Sequence, residues 1–185
     1  MRIAHIEPLS YIYGPGVRFV IWTQGCSLHC KGCWNKEMWD FNDGSEISIA
    51  ELFNQITAMK HQIEGITFLG GEPLDQFSEV LELIKLSRES GLSSMLFTGY
   101  EFNEIAVSNK NDILKEVDIL ITGRYQEDKR TLNHQWIGST NQQIHFLTER
   151  YKKYHLKNGN YMEIIFNNDG SLEIVGFPPD DSLVK

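Results

Sequence analysis

Three thiols sit at Cys26, Cys30 and Cys33, inside "TQGCSLHCKGCWN" (residues 23–35), and the chain has no other cysteine. An odd number cannot close completely into internal disulfides. The C-x3-C-x2-C spacing puts three soft sulfur ligands on one short loop, with room for a fourth, non-protein ligand. Such thiols hold zinc, hold an iron–sulfur cluster, or are incidental. Structural zinc wants four ligands, commonly as two separated knuckles. His29 is a local candidate for the fourth, but it lies between two of the cysteines, where joint ligation is awkward. Electron-transfer clusters take four cysteines. A cubane held by three leaves one iron open to a substrate or cofactor. Count and spacing favour the cluster over zinc, and both over incidental thiols.

A loop with this task needs elements to aim it. "VRFVIWT" (Val17–Thr23), rich in β-branched and aromatic residues, reads as a strand running straight into the cysteines, after a short strand around Ile3–Ile6 and a turn at "YGPG" (Tyr13–Gly16). Residues 48–62 have apolar side chains at Ile49, Leu52, Phe53, Ile56 and Met59, a helical spacing, with Ser48 and Glu51 in a capping-box pattern. "GITFL" (Gly65–Leu69) is a buried strand, and "GGEP" (Gly70–Pro73) turns the chain into an amphipathic helix, Phe77–Ser90, stopped by Gly91. A strand at Ser93–Thr98, a helix within 101–116 and a strand at Val117–Thr122 follow. Alternation of this kind implies βα units on a parallel sheet. Right-handed crossovers then bring the cysteine loop, "GGEP", "TGY" and "TGRY" to one carboxyl edge. Residues 124–142 read as a long polar loop, "QQIHFL" as a further strand, and 148–160 as a solvated helix or connector. Two apolar runs flanking "NNDG" predict an antiparallel hairpin over residues 161–177.

Composition limits the function classes. The chain has 185 residues and a formal net charge of −8. That balance argues against nonspecific binding to nucleic acid or membrane surfaces, which needs a basic footprint. The amino-terminal stretch lacks the apolar core of a signal peptide, and no apolar run is long enough to span a bilayer. The expectation is a cytoplasmic protein, whose reducing surroundings leave the thiols free for metal.

The three-cysteine motif resembles that of radical S-adenosylmethionine (SAM) enzymes. Together with "GPGVR", Asn35 after the last cysteine, "GGEP", "TGY", "GRY" and "GSTNQ", it is similar to the glycyl-radical-enzyme activases, and among them to the small activases of anaerobic ribonucleotide reductase. The resemblance covers roughly residues 10–146. It implies a partial (βα) barrel of the radical SAM type, a core over residues 1–148, with 149–185 a connector and hairpin extension. It implies that Cys26, Cys30 and Cys33 hold a [4Fe–4S] cluster whose open iron chelates SAM. One electron then cleaves a carbon–sulfur bond, and the resulting 5′-deoxyadenosyl radical abstracts a hydrogen atom. Cofactor contacts are implied for Trp34, Asn35, Gly70, Gly71, Glu72, Pro73, Thr98, Tyr100 and Arg124, with Gly138–Gln142 near the mouth. Implied partners are a glycyl radical enzyme and an electron donor such as flavodoxin or ferredoxin. Several of these have ordinary readings too: Trp34 as a core anchor, Glu72 in an acidic first helical turn, Thr98 in a hydroxyl-capped turn, Arg124 as a solvated side chain. Two positions depart from the pattern, Tyr13 and Thr122, where such activases usually carry Asp. A different SAM substrate and a non-catalytic metal module are the competing functions.

Overall fold

A computed structural model describes residues 1–166, 169–177 and 179. In chain order the strands and helices are β1 (Arg2–Ser10), β2 (Arg18–Thr23), β3 (Ser45–Glu46), α1 (Ile49–Ala58), β4 (Gly65–Gly70), α2 (Phe77–Glu89), β5 (Ser93–Phe97), α3 (Phe102–Ala106), α4 (Ile113–Glu116), β6 (Ile119–Thr122), β7 (Gln143–Phe146), β8 (Met162–Phe166) and β9 (Leu172–Gly176). The first seven strands form one mixed sheet in the order β3-β1-β2-β4-β5-β6-β7. Its centre is parallel: β2 pairs with β4, β4 with β5 and β5 with β6, while β1 and β7 are antiparallel to their neighbours. The parallel order β2-β4-β5-β6 places the four predicted strand-end loops on one edge.

All six residues of β2 are buried, as a strand covered on both faces requires. On one face Phe19, Ile21, Ile66, Phe68, Leu96 and Leu120 pack against Leu52 and Ile56 of α1 and Val80, Leu83 and Ile84 of α2. Each of these helix residues is fully buried, worth about 1.5–3 kcal/mol of hydrophobic stabilisation. Ser48 caps α1, accepting the Glu51 backbone N–H at 3.1 Å. On the other face, among the described residues, loops and a 3-10 turn rather than α-helices cover the sheet. Val20, Trp22 and Leu69 meet Ile12 and Tyr13, while Met95, Ile119 and Ile121 meet Trp136, Ile137 and Tyr151. The same face buries the guanidinium of Arg18, which donates to Thr67 Oγ1 at 3.1 Å, to Ser93 Oγ and to the Ile66 carbonyl. These hydrogen bonds offset part of the cost of burying the cation, and burial still holds its pKa below the usual arginine value.

The stretch 101–116 is helical as expected, in two short pieces, α3 and α4, parted near Ser108: its hydroxyl donates to the Ile105 carbonyl and accepts the Lys110 N–H, offering the backbone a turn instead of a further helical bond. The stretch 124–142 is not simply polar loop. It contains a 3-10 turn at Glu127–Lys129 and sinks Trp136 to 1% exposure. Residues 148–160 are a connector with a 3-10 turn at Glu149–Tyr151. Strands β8 and β9 pair antiparallel with Met162 opposite Gly176 and Phe166 opposite Leu172. In the predicted "NNDG" turn, Asn167 and Asn168 lie outside the described residues. Along β8 the period-2 alternation puts Met162, Ile164 and Phe166 outward, and Glu163 inward.

Candidate functional site

The four loops leaving β2, β4, β5 and β6 enclose one pocket, and all three cysteines line it. The cysteine loop is anchored at its start: Gly25 N–H donates to the Met38 carbonyl at 2.9 Å and Cys26 N–H to the Trp39 carbonyl at 3.1 Å. Its middle is tied to the next loop. Asp75 accepts the Ser27 N–H at 2.7 Å and the Ser27 hydroxyl at 3.0 Å, and receives the Tyr100 hydroxyl at 3.3 Å. One carboxylate thus joins the cysteine loop, the turn after β4 and the loop after β5. Replacing Asp75 by Ala frees the Ser27 pair, worth about 1–2 kcal/mol for a charge-assisted contact that solvent reaches. The expected result is cluster loss several-fold faster under an anaerobic chelator challenge, with a slightly lowered melting temperature. An unchanged loss rate would deny Asp75 this role.

The "GGEP" corner works through backbone proximity. Gly71 N–H donates to the Thr23 carbonyl at 2.8 Å, and Glu72 N–H to the Gly25 carbonyl at 2.9 Å. The Glu72 carboxylate is buried and lines the pocket. It accepts three bonds: Leu74 N–H at 2.9 Å, the Thr98 hydroxyl at 2.8 Å and Gly99 N–H at 2.8 Å. It therefore starts the 3-10 turn Pro73–Gln76 and fastens the end of β4 to the end of β5. Burial pushes its pKa up to about 7, against the lowering pull of those donors.

Of the residues expected to touch cofactor, Trp34, Asn35, Gly70, Gly71, Glu72 and Thr98 line the pocket. Pro73, Tyr100 and Arg124 stand outside the lining. Pro73 is buried in the turn, and Arg124 forms a forked pair with Glu104 at 2.8 and 3.1 Å. The "GSTNQ" stretch contributes Gly138 and Gln142, and Gln142 bonds the Gly138 N–H and the Gly123 carbonyl. Sequence reasoning missed Trp39, Phe97, Tyr125, Trp136 and Phe177, which supply much of the wall. For Trp136 a signal existed: an isolated Trp-Ile pair inside a polar loop is out of place unless buried. Its indole donates to the Ile12 carbonyl at 3.1 Å and stacks on Tyr154.

Both departures from the activase pattern lie off the pocket lining. Thr122 is buried, and its hydroxyl bonds His145 Nε2 at 2.9 Å across the β6–β7 pair. Tyr13 is buried against Trp22 and Phe97, with burial holding its pKa well above the usual tyrosine range.

The model for the 4Fe-4S single cluster domain matches residues 12–145. The chain belongs to that family. An anaerobic ribonucleoside-triphosphate reductase-activating protein of enterobacteria phage T4 is 32% identical over 78% of this chain and 93% of its own length. Its Escherichia coli K12 counterpart is 28% identical over 80% of this chain and 99% of its own length. A pyruvate formate-lyase-activating enzyme of Clostridium pasteurianum is 34% identical over 65% of this chain and half of its own. Among solved structures, QueE from Escherichia coli overlays 53% of the chain with a TM-score of 0.42 and 20% identity, a likeness too loose to bear on the site. The resemblance to radical SAM activases of glycyl radical enzymes thus holds.

The site suits the cluster of this 4Fe-4S family. Three free thiols converge on a pocket whose walls are largely apolar and aromatic. Among the described residues no set of three or more His, Cys, Asp or Glu is gathered as around a single metal ion. A cubane instead binds each thiolate to a different iron, which calls for a wider set. The fourth-ligand candidate His29, at φ 45°, lies against Trp39 and is not among the lining residues. Trp39 lines the same pocket, and its Nε1–H is buried without a hydrogen-bond partner among the described residues. Burial raises the Cys26 and Cys30 thiols above their usual range, so the charge of bound iron must deprotonate them.

Proposed function

We propose that this protein cleaves SAM reductively at a [4Fe–4S] cluster held by Cys26, Cys30 and Cys33, and installs a glycyl radical on a partner enzyme of the anaerobic ribonucleotide reductase kind. The observation that carries this reading is the convergence of the three thiols with Gly70, Gly71, Glu72 and Thr98 in one pocket at the carboxyl edge of parallel strands. The sheet is read as a partial (βα) barrel of the radical SAM type, residues 1–148, with 149–185 as an extension. When bound, the cluster supplies the electron that breaks a carbon–sulfur bond of SAM, giving methionine and a 5′-deoxyadenosyl radical, which takes a hydrogen atom from a backbone glycine of the partner.

The chain's own residues bind, orient and exclude water. Gly70 and Gly71 let the corner after β4 close on the backbone of Thr23 and Gly25, where a Cβ would collide, and so hold the cysteine loop against the residues that face SAM. Glu72 presents negative charge to the amino group of SAM while staying fixed by its three donors. Trp34 and Asn35, directly after the last thiol, would contact the adenine end of the ligand. Pro73 starts the turn that holds Glu72. Tyr100 and Arg124 act from behind the lining, Tyr100 through Asp75 and Arg124 through Glu104. The electron comes from a small reduced carrier of the flavodoxin or ferredoxin class, in a cytoplasm that keeps the thiols free. Among the described residues no helix is long and apolar enough to cross a membrane.

The test is anaerobic reconstitution, reduction, addition of SAM, and detection of 5′-deoxyadenosine by mass spectrometry. Wild type is expected to form it, and the Cys26→Ala, Cys30→Ala, Cys33→Ala triple variant to lose it to background. With a glycyl radical enzyme present, product should match the spin count of a glycyl radical signal. Stoichiometric zinc in place of iron and sulfide would defeat the reading.

A further inference from the structure

The family match ends at residue 145, yet the site pocket has a wall from beyond it. Phe177, just after β9, is a lining residue. Its ring centroid lies 6.3 Å from that of Trp34 and 6.3 Å from that of Tyr13. Trp34 in turn lies 6.0 Å from Tyr125 and carries the Arg130 guanidinium 4.7 Å above its ring. Next to the last thiol, then, stand three flat side chains from three separate parts of the chain: Trp34, Tyr125 and Phe177.

The segment bearing Phe177 is seated by polar contacts at both ends. Glu163 of β8, turned inward, accepts the Ser10 hydroxyl at 2.7 Å and the Tyr11 N–H at 2.6 Å. The Phe177 N–H donates to the Tyr161 carbonyl at 3.1 Å, and Arg130 donates to the Pro179 carbonyl at 3.3 Å. Val175 and Phe177 pack on the cluster of Ile12, Tyr13, Val20, Trp22 and Leu69. At Gly176 a Cβ would stand 2.6 Å from Ile12 Cδ1 and 2.5 Å from the Tyr161 carbonyl oxygen, so the strand seats tightly there. On the inner side Glu163 and Val175 stand opposite each other, the first bonded to the end of β1 and the second packed on that cluster, while Met162, Ile164 and Phe166 face outward. The arrangement makes sense if the inner side of β8–β9 serves to hold its end over the pocket.

We propose that Phe177 is a binding residue for SAM: the β8–β9 hairpin carries it in cis as a wall for the planar adenine of the adenosyl group. The inference rests on the reading that SAM occupies this pocket. Adenine is the flat, apolar-faced part of SAM, and aromatic side chains bind such faces by stacking; losing one such ring costs roughly 5–100-fold in affinity.

The experiment uses the full chain. SAM binding to anaerobic, cluster-loaded protein is measured by calorimetry for wild type, Phe177→Ala, Phe177→Tyr, Glu163→Ala and Phe166→Ala. Phe177→Ala should weaken binding about tenfold and Phe177→Tyr restore it. Glu163→Ala, which unfastens the hairpin far from the ligand, should weaken binding several-fold. Phe166→Ala, on the exposed side, should change nothing. A second readout needs no cluster: acrylamide quenching of tryptophan emission in the metal-free chain should increase in Phe177→Ala and Glu163→Ala, as Trp34 is uncovered. Equal SAM affinity in wild type, Phe177→Ala and Glu163→Ala would overturn the inference and leave the proposed function standing. Wild type that holds its cluster but binds no SAM would overturn both.

Discussion

Alanine at Gly71 is expected to cut 5′-deoxyadenosine formation at least about a hundredfold and to lower the iron bound per chain. The reason is space. A Cβ on Gly71 would lie 2.2 Å from the Gly25 carbonyl oxygen and 2.9 Å from the Met38 carbonyl oxygen. Both are backbone atoms, which cannot swing aside as the tip of a side chain can. Gly25 itself is bonded to the Met38 carbonyl and receives the Glu72 N–H, so its carbonyl is held from both sides. Relief requires the corner after β4 and the cysteine loop to separate. Overpacking of this kind costs about 1–3 kcal/mol where neighbours can adjust, and more where they cannot. The displacement falls on the junction between the thiols and the residues read as holding SAM, so activity should suffer more than the fold. The checks are iron and sulfide content, melting temperature, and anaerobic turnover with SAM. A Gly71→Ala variant with full iron and wild-type turnover would show that the close approach is dispensable.

The second large effect is on stability and pH. Burial raises Glu72 from a usual value of 4.5 to about 7. Below pH 4.5 the group is protonated in both folded and unfolded chains, and nothing is lost. Between 4.5 and 7 the unfolded chain releases the proton and the folded chain keeps it. Stability from this group therefore falls as pH rises, by about 3 kcal/mol across the window, and stays low above it. His145 works in the opposite sense: burial lowers its pKa, so its contribution is lost as pH falls through its usual 6.5. The comparison with Glu72→Gln, rather than the raw slope, isolates Glu72. In denaturant unfolding of the thiol-reduced, metal-free chain, the stability gap between wild type and Glu72→Gln should shift by about 3 kcal/mol in favour of the variant from pH 4.5 to pH 7.5. Parallel pH profiles for the two proteins would mean that Glu72 is charged throughout, its three donors having outweighed burial.

Much of this molecule is written locally. The cysteine spacing, the helical periodicity of residues 49–59 and 77–89, the β-branched strand running into Thr23 and the Gly-rich corner at residues 70–71 are each properties of a few adjacent residues. Backbone geometry converts such patterns into elements wherever they occur. The alternation of strand and helix then brings strand-end loops to one edge, which is why the cysteines and Gly70–Glu72 could be expected in one place. Within residues 101–116 the local pattern pointed to helix but not to its division into α3 and α4 near Ser108.

Other features depended on contacts between distant parts of the chain. Trp136 is in the site because its indole reaches Ile12, 124 residues away, and Phe177 is there because Glu163 bonds Ser10 across 153 residues. The orientation of Thr122 was set by pairing of β6 with β7, which turns its hydroxyl to His145. Asp75 gained its task when its turn came to lie under Ser27. The sequence by itself determined which chemistry the chain can host, because three thiols on one loop and their neighbours are a local statement. Only the tertiary structure decided what walls that chemistry in. Enclosure requires distant segments to meet at one edge of the sheet, and which side chains face inward there follows from packing and strand register.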